Sequence, residues 1–301
     1  MGGVHNLTVI CQPNLITIQT MIDSKFLSNL VTSLEQARLH AQPIDWPPAP
    51  TPLGLDLAYA AALAVREARI AAGELPAGYK VGFTNRNIWP HYNVHAPIWG
   101  TVWQASVTLA TPEAGSPSVL ALSGLCEPRI EPEIVFGLRE APPADCSAEE
   151  LVASLDWVAH GIEIVHTHCP GWKFTAAQAV ADAGLHGRLL VSHRVQVPAG
   201  TTAVDLIQAL AGLQVQLYAG GLLKDEGKGV NVLDGPVQAL LHFVRALRST
   251  PGAPALKAGD LVTTGTLTDA HPVQPGQTWH TQIESSGPVA QALAGLTVKF
   301  E

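Results

Sequence analysis

The sequence predicts an α+β fold, with a helical N-terminal part followed by a β-rich body. Three observations predict it. Apolar residues at helical spacing are concentrated ahead of residue 75, and short strand-like runs bounded by glycine and proline dominate after it. Strands and helices also fail to alternate in the regular order of a parallel sheet. No glycine-rich phosphate loop follows a predicted strand, which argues against a doubly wound dinucleotide-binding fold. The division implied is an extension over residues 1–20, a helical part over 21–75 and the β-rich body over 76–301.

Residues 1–20 contain no Asp, Glu, Lys or Arg and lack the basic start and cleavage site of a secretory signal. From Asp23 to Ala41, Phe26, Leu27, Leu30, Leu34 and Ala37 recur at helical spacing, and the proline-rich QPIDWPPAPTP ends that helix. A second helix is predicted over Leu53–Ala72, rich in Ala and Leu and stopped by Gly73. Strands are predicted over Tyr79–Phe83, Val119–Leu122, Ile130–Leu138, Ile162–Val165, Leu213–Tyr218, Asp260–Thr264 and Thr278–Ile283. Two further helices are expected, over Thr175–Ala183 and Val237–Leu247; Val237, Leu240, Leu241, Val244 and Leu247 share one face of the latter.

Composition narrows the function. With 301 residues, 47% hydrophobic and only 14% charged, the chain can bury a large core and is not disordered. The net charge is -8 and no Lys/Arg cluster runs along it, which argues against a nucleic-acid groove or an anionic membrane surface. No apolar run approaches the roughly 20 residues of a membrane span. The cysteines Cys11, Cys126, Cys146 and Cys169 form no CxxC pair and no disulfide framework, which suits reduced thiols and a cytoplasmic location.

Two segments carry candidate chemistry. In CEPRIEPEIVFGL, residues 126–138, an extended backbone projects Glu131 and Glu133 to one face while Ile130, Ile134 and Phe136 take the core side. Two like charges at that spacing repel; a hard divalent cation such as Mg²⁺ or Mn²⁺ removes the repulsion. The alternative is a pair of exposed glutamates on an edge strand, where Pro132 would also be at home. In AHGIEIVHTHC, Glu163 sits inside an apolar run, where a carboxylate is costly unless paired or metal-bound. With Glu131 and Glu133 it would make three oxygen ligands and leave positions open for a chelating substrate.

His166, His168 and Cys169 raise a zinc alternative, set back because a regular strand turns both histidines away from Glu163. Lys80, in GYKVGF, is either a surface lysine with a buried stem or a cation for a substrate carboxylate or 2-oxo group.

The ordered segments GYKVGFTN, APIWG, RIEPEIVFGL, GIEIV, WKFTAAQAVAD, LYAGGLLKDEGKG, LDGPVQALLHFV and LVTTGTLTDAHPVQPGQ resemble the 2-keto-4-pentenoate hydratase / 4-oxalocrotonate decarboxylase branch of the fumarylacetoacetate hydrolase superfamily. The resemblance runs from about Phe26 to Ile283. It implies a mixed β-sheet sandwich or roll with helices outside, Mg²⁺ or Mn²⁺ on Glu131, Glu133 and Glu163, Lys80 as the family's lysine, and a homo-oligomer. It also implies a small 2-oxo acid substrate from the catabolism of aromatic compounds, and either hydration or decarboxylation of it. Asp182 or a water would be the base; Thr264 and Thr266 would meet the substrate carboxylate, and Trp172 and Lys173 would help enclose the site. Three departures stand out: Ala181-Asp182-Ala183 where the hydratases read A-D-N, Asp269 in place of a glycine, and bulky Trp172 and Phe174 beside Lys173. Competing expectations are an acylpyruvate-type C–C hydrolase built on His91 or His95, and a metal-stabilised small-acid-binding protein without turnover.

Overall fold

The computed structural model describes residues 15–48, 52–86, 89–92, 94–110 and 117–301 and, apart from 91 and 92, their side chains from residue 24 onward. Helices α1 (Leu15–His40) and α2 (Leu55–Ala71) lead, followed by β1 (Pro76–Gly82), α3 (Trp89–Tyr92), β2 (Ile98–Trp103), β3 (Val107–Leu109) and β4 (Ser118–Leu120). Next come β5 (Arg129–Leu138), α4 (Ala148–Ala153), β6 (Leu155–Val165), α5 (Ala176–Ala181), β7 (His186–Val191), β8 (Val195–Gln196) and α6 (Ala203–Ala211). The chain closes with β9 (Gln214–Ala219), β10 (Leu222–Lys228), α7 (Pro236–Ser249), β11 (Leu261–Thr263), β12 (His271–Pro272), β13 (Thr278–Glu284), α8 (Pro288–Gln291) and β14 (Thr297–Phe300). Helix α1 begins inside the stretch expected to be an extension; residues 1–14 lie outside the described ones.

Local chemistry sets several boundaries. Ser147 and Glu150 cap α4 reciprocally, as Thr175 and Gln178 cap α5, so the first orphan N–H groups of each helix are satisfied by side chains. Pro236 occupies the first turn of α7, where its missing N–H costs nothing.

The strands form two sheets. The larger runs β2-β1-β11-β5-β6-β7-β3, with β12 added to β5 and β8 to β6; the smaller runs β10-β9-β13-β14-β4. Strand alternation sorts the side chains of the large sheet. Ile130, Ile162 and Ile164 meet Leu217, Trp279, Val298 and Phe300 of the small sheet, which gives the sandwich its core. Ile134, Phe136 and Val158, of the same parity, pack with Tyr79 and Val81 against α6 and α7. The opposite parity brings Val102 on β2, Val135 on β5, Leu189 and Val191 on β7 and Leu261 on β11 into one cluster, so the large sheet curls on itself and encloses this face. Helices α1, α2 and α5 pack together over Ile98 and Val165.

Strand β5 lies in the middle of this sheet, so the edge-strand alternative for its glutamates does not hold. Pro132 is accommodated by a gap. β11 pairs with β5 only over residues 135–137 and β12 only over 129–130. Between them the Pro132 carbonyl accepts the Leu267 N–H at 2.8 Å from a loop. The N and O of one strand residue point the same way, so the proline's missing N–H falls in that gap rather than in the ladder with β6.

Candidate functional site

The β5–β6 register sets Glu131 directly opposite Glu163, and Glu133 opposite Gly161. All three glutamates have the parity of Val135, Ala159 and Leu189 and therefore point into the curled sheet. An oxygen of each carboxylate lies within 4.8 Å of the others. Glu133 and Glu163 are fully buried. Lys80 enters the same interior from β1: it pairs with Thr263 of β11, which pairs with Val135 of β5. Its Nζ stands 3.4 Å from Glu163 Oε2.

The electrostatics of this group are unbalanced. Burial opposes the Lys80 ammonium, but the carboxylates of Glu163, Glu131 and Glu133 outweigh it and hold the lysine pKa above its ordinary value. Burial pushes Glu131 up to about 7, against the pull of Lys80. Burial, then Glu163 and Glu131, push Glu133 well above the usual carboxylate range. Glu163 feels the same burial, yet Lys80 and His186 prevail and hold it below that range. Each buried carboxylate has one anchored oxygen. Glu133 Oε2 accepts the Gly265 N–H at 2.9 Å, and Glu163 Oε1 accepts from His186 Nδ1 at 2.7 Å. The other two, Glu133 Oε1 and Glu163 Oε2, are buried with no further protein donor than the Lys80 ammonium 3.4 Å from Glu163 Oε2. Three converging carboxyl groups beside one ammonium are a donor set suited to a hard divalent cation.

A cavity of about 320 Å³ opens onto this group, lined among others by Lys80, Glu131, Arg129, Trp172, Phe174 and Thr266. The Arg129 guanidinium lies 4.0 Å over the Trp172 ring.

No family model matches the sequence. The chain is 29% identical over 272 residues to a 2-hydroxyhexa-2,4-dienoate hydratase of Comamonas testosteroni, covering 89% of this chain and 97% of that enzyme. It is 27% identical over 238 residues to a 2-keto-4-pentenoate hydratase of Paraburkholderia xenovorans (strain LB400), covering 79% of this chain and 83% of that one. Its fold matches 4-oxalocrotonate decarboxylase from Pseudomonas putida G7 with a TM-score of 0.76 and 21% identity, over 94% of this chain and 98% of that one. In sequence the chain is similar to the 2-keto-4-pentenoate hydratases and 4-oxalocrotonate decarboxylases, and its fold is that of the decarboxylase.

The residues singled out from sequence divide into two groups. Lys80, Glu131, Thr266 and Trp172 line one cavity, with Glu133 and Glu163 beside it. Lys173 is exposed and outside that lining. Thr264 is buried, and its hydroxyl donates to the Ile134 carbonyl at 3.0 Å rather than facing the cavity. Asp182 is turned away: it lines a second cavity and accepts from His168 Nδ1 at 2.6 Å. The backbone explains the turn. After α5 it passes through three left-handed residues, Ala183 (φ 56), Gly184 (φ 65) and Leu185 (φ 68), so that Gly184 and Leu185 face the glutamates and Asp182 does not. The turn lies hard against its neighbours: a Cβ at Gly100 would come within 2.2 Å of the Ala183 carbonyl, and one at Gly184 within 3.2 Å of Lys80 Cδ. His95 is exposed and does not line the cavity; the side chain of His91 lies outside the described residues.

Three residues of the site carried no sequence expectation. Arg129 lines the cavity, His186 holds Glu163, and Ser106 Oγ lies 2.7 Å from His186 Nε2. A histidine opening the apolar run HGRLLV was the available signal for His186. Ser106 has no local signal at all, since its partner is 80 residues away.

Proposed function

We propose that the chain is a divalent-metal-dependent hydratase of a 2-hydroxy-2,4-dienoate or 2-oxo-enoate, a hydro-lyase in which Glu131, Glu133 and Glu163 hold Mg²⁺ or Mn²⁺. The observation that carries it is the convergence of the Glu131, Glu133 and Glu163 carboxylates, with an oxygen of each within 4.8 Å of the others and Lys80 as the cation beside them. Chemistry of the donor set agrees, because carboxylate oxygen suits Mg²⁺ and Mn²⁺. When bound, the metal would supply Lewis acidity toward the C1 carboxylate and C2 oxygen of a 2-oxo acid.

The chain's own residues supply the rest. Lys80, with its Nζ 3.4 Å from Glu163 Oε2 and lining the same cavity, supplies a buried positive charge toward the C2 oxygen. His186 fixes the free oxygen of Glu163 by anchoring the other one. Gly265 does the same for Glu133 through its N–H. Trp172 and Phe174 give the cavity an aromatic wall.

A second reading is favoured by Arg129. A half-buried guanidinium on the cavity wall suits a second carboxylate on the substrate, as a 2-oxo-3-enedioate decarboxylase requires. The P. putida G7 decarboxylase was solved with magnesium and adipate, itself a dicarboxylate. Of the two histidines expected for an acylpyruvate C–C hydrolase, His95 does not line the cavity, and the side chain of His91 lies outside the described residues. We place the enzyme in the cytoplasm as a homo-oligomer; no helix among the described residues is long and apolar enough to cross a membrane, and Cys126, Cys146 and Cys169 are free thiols.

The test is the ultraviolet absorbance of 2-hydroxypenta-2,4-dienoate mixed with the protein, with Mg²⁺ and then with chelator. Hydration predicts a Mg²⁺-dependent loss of the dienol band with 4-hydroxy-2-oxopentanoate as product. No loss by a Mg²⁺-bound sample, with CO₂ released from a 2-oxo-3-enedioate instead, would replace the hydratase by the decarboxylase. Metal and 2-oxo acids bound without any turnover would leave a binding protein.

A further inference from the structure

Behind the 182–187 turn, on the side away from the glutamates, lies a second cavity of about 390 Å³. His166, His168, Asp182 and His186 line it, together with Arg69 and Arg188. Strand β6 ends at Val165, so His166 and His168 leave the sheet and fold toward the segment that leads into β5. There they meet Cys126, not the Cys169 next to them in sequence. One ligand atom from each of Cys126, His166 and His168 lies within 4.8 Å of the others.

From this geometry we propose that Cys126, His166 and His168 form a second metal site, selective for a borderline-soft divalent ion such as Zn²⁺, distinct from the hard-ion site of the glutamates. The decisive atom is His168 Nε2. It is buried and has no hydrogen-bond partner, although His168 as a whole is only 4% exposed. A buried nitrogen without a partner is destabilising, and a metal ion satisfies it. The other ring nitrogen, Nδ1, is engaged by Asp182 Oδ1 at 2.6 Å, which leaves Nε2 as the nitrogen available to a metal. A carboxylate holding the far nitrogen is the arrangement that orients imidazole toward a metal. Both Asp182 oxygens are engaged in this, since Oδ2 accepts the His168 N–H at 2.9 Å and the Thr167 hydroxyl at 3.3 Å.

The two rings stand edge to face, their centroids 4.8 Å apart at 74°, so they converge without stacking. His166 Nδ1 accepts only a long 3.3 Å bond from the Cys126 N–H. A thiolate with two imidazoles selects Zn²⁺ over Mg²⁺ and leaves a fourth position open. Binding would release the Cys126 thiol proton to solvent. The ion would tie the segment entering β5 to the segment leaving β6, next to the strand ends that carry Glu131 and Glu163. It would therefore act as a clamp on the glutamate pair from outside their cavity.

The test uses chelator-stripped full-length protein with Mg²⁺ in excess and one equivalent of Co²⁺ as the probe. A sulfur-to-cobalt charge-transfer band in the near ultraviolet is expected in the wild type and in Glu133→Gln. It should vanish in Cys126→Ser, with circular dichroism and the circular-dichroism melting curve of that variant showing a folded chain. His168→Gln, the second variant, should weaken cobalt binding at least tenfold. Two results would overturn the site: stoichiometric cobalt bound to the wild type with no such band, or a band that survives Cys126→Ser. Because the glutamate site offers no sulfur, failure of the hydratase assignment would leave this band unchanged.

Discussion

Glu131 and Glu163 face each other directly across the β5–β6 ladder, one carboxylate against another inside a curled sheet. Like charges directly opposite destabilise a sheet, and Glu133 adds a third beside them. A fold keeps such a cluster only if something else compensates for it, and Lys80 alone does not balance three carboxylates.

Glu131→Gln therefore separates stability from activity. The folded pKa of Glu131 is raised to about 7, above the ordinary value of 4.5. A raised carboxyl contributes its stability fully at low pH and loses it as pH rises through the folded pKa. In chelator, Glu131→Gln should be close to the wild type near pH 4.5 and exceed it by up to about 3 kcal/mol at pH 8. With Mg²⁺ at a concentration that saturates the wild type the advantage shrinks or reverses, because the wild type gains more from the ion. Thermal melting at the two pH values, with and without Mg²⁺, checks both signs; a variant less stable than the wild type in chelator at pH 8 would contradict them.

Lys80→Met removes the one ammonium in the site and keeps most of the stem. Turnover should fall about 10²–10³-fold, the range seen when a single electrostatic donor is lost from an active site. Steady-state kinetics on protein checked for folding decides it. Activity within a few fold of the wild type would mean that Lys80 serves the fold and not the substrate.

His186→Ala frees Glu163 Oε1 while leaving every proposed ligand in place. Loss of such an orienting partner lowers metal affinity about 10–100-fold. Ser106→Ala, one bond further out, should lower it less. Mn²⁺ binding followed by electron paramagnetic resonance measures both, and equal effects of the two substitutions would break the proposed order of influence.

Ala183→Asn addresses the turn that aims Asp182 away. Alanine at φ 56 carries a left-handed cost of about 1–2 kcal/mol. Asparagine adopts this region far more readily, and the family's A-D-N sequence places one there. The substitution should stabilise the protein by about 0.5–1 kcal/mol, visible as a small rise in melting temperature with turnover retained. A lower melting temperature would show that the strain is held by contacts rather than by the residue type.

How much of this could be read in the sequence depends on where the partners lie. Strand β5 was readable because Ile130, Ile134 and Phe136 alternate with the glutamates within ten residues. Only the second half of β6 was expected. Its first half carries His160, which is buried and neutral, with burial lowering its pKa to about 4. That ring bonds the Glu133 carbonyl at 3.0 Å and the Thr281 hydroxyl at 2.8 Å, joining two sheets. Nothing near it in sequence announces such partners. Strands β2 and β7 and helices α4 and α6 were not anticipated either, as short elements depend on neighbours more than on their own period.

At the site, Glu163 and Lys80 are legible as charges placed in apolar runs, and Glu131 and Glu133 as like charges two residues apart on one strand face, both costly without a purpose. Asp182 was assigned by its position in a shared order of segments, which says nothing about direction. Three left-handed residues decide which side of the wall it faces, and that cannot be inferred from Ala-Asp-Ala.

The most direct measurement is a calorimetric titration of Mn²⁺ into chelator-stripped protein at pH 7.5, for the wild type and for Glu131→Gln, Glu133→Gln and Glu163→Gln. The proposed centre predicts one Mn²⁺ per chain in the wild type and at least a tenfold weaker Kd in each of the three variants, all of them folded. Unchanged one-to-one binding in any single variant would remove that glutamate from the site, and unchanged binding in all three would contradict the metal centre itself.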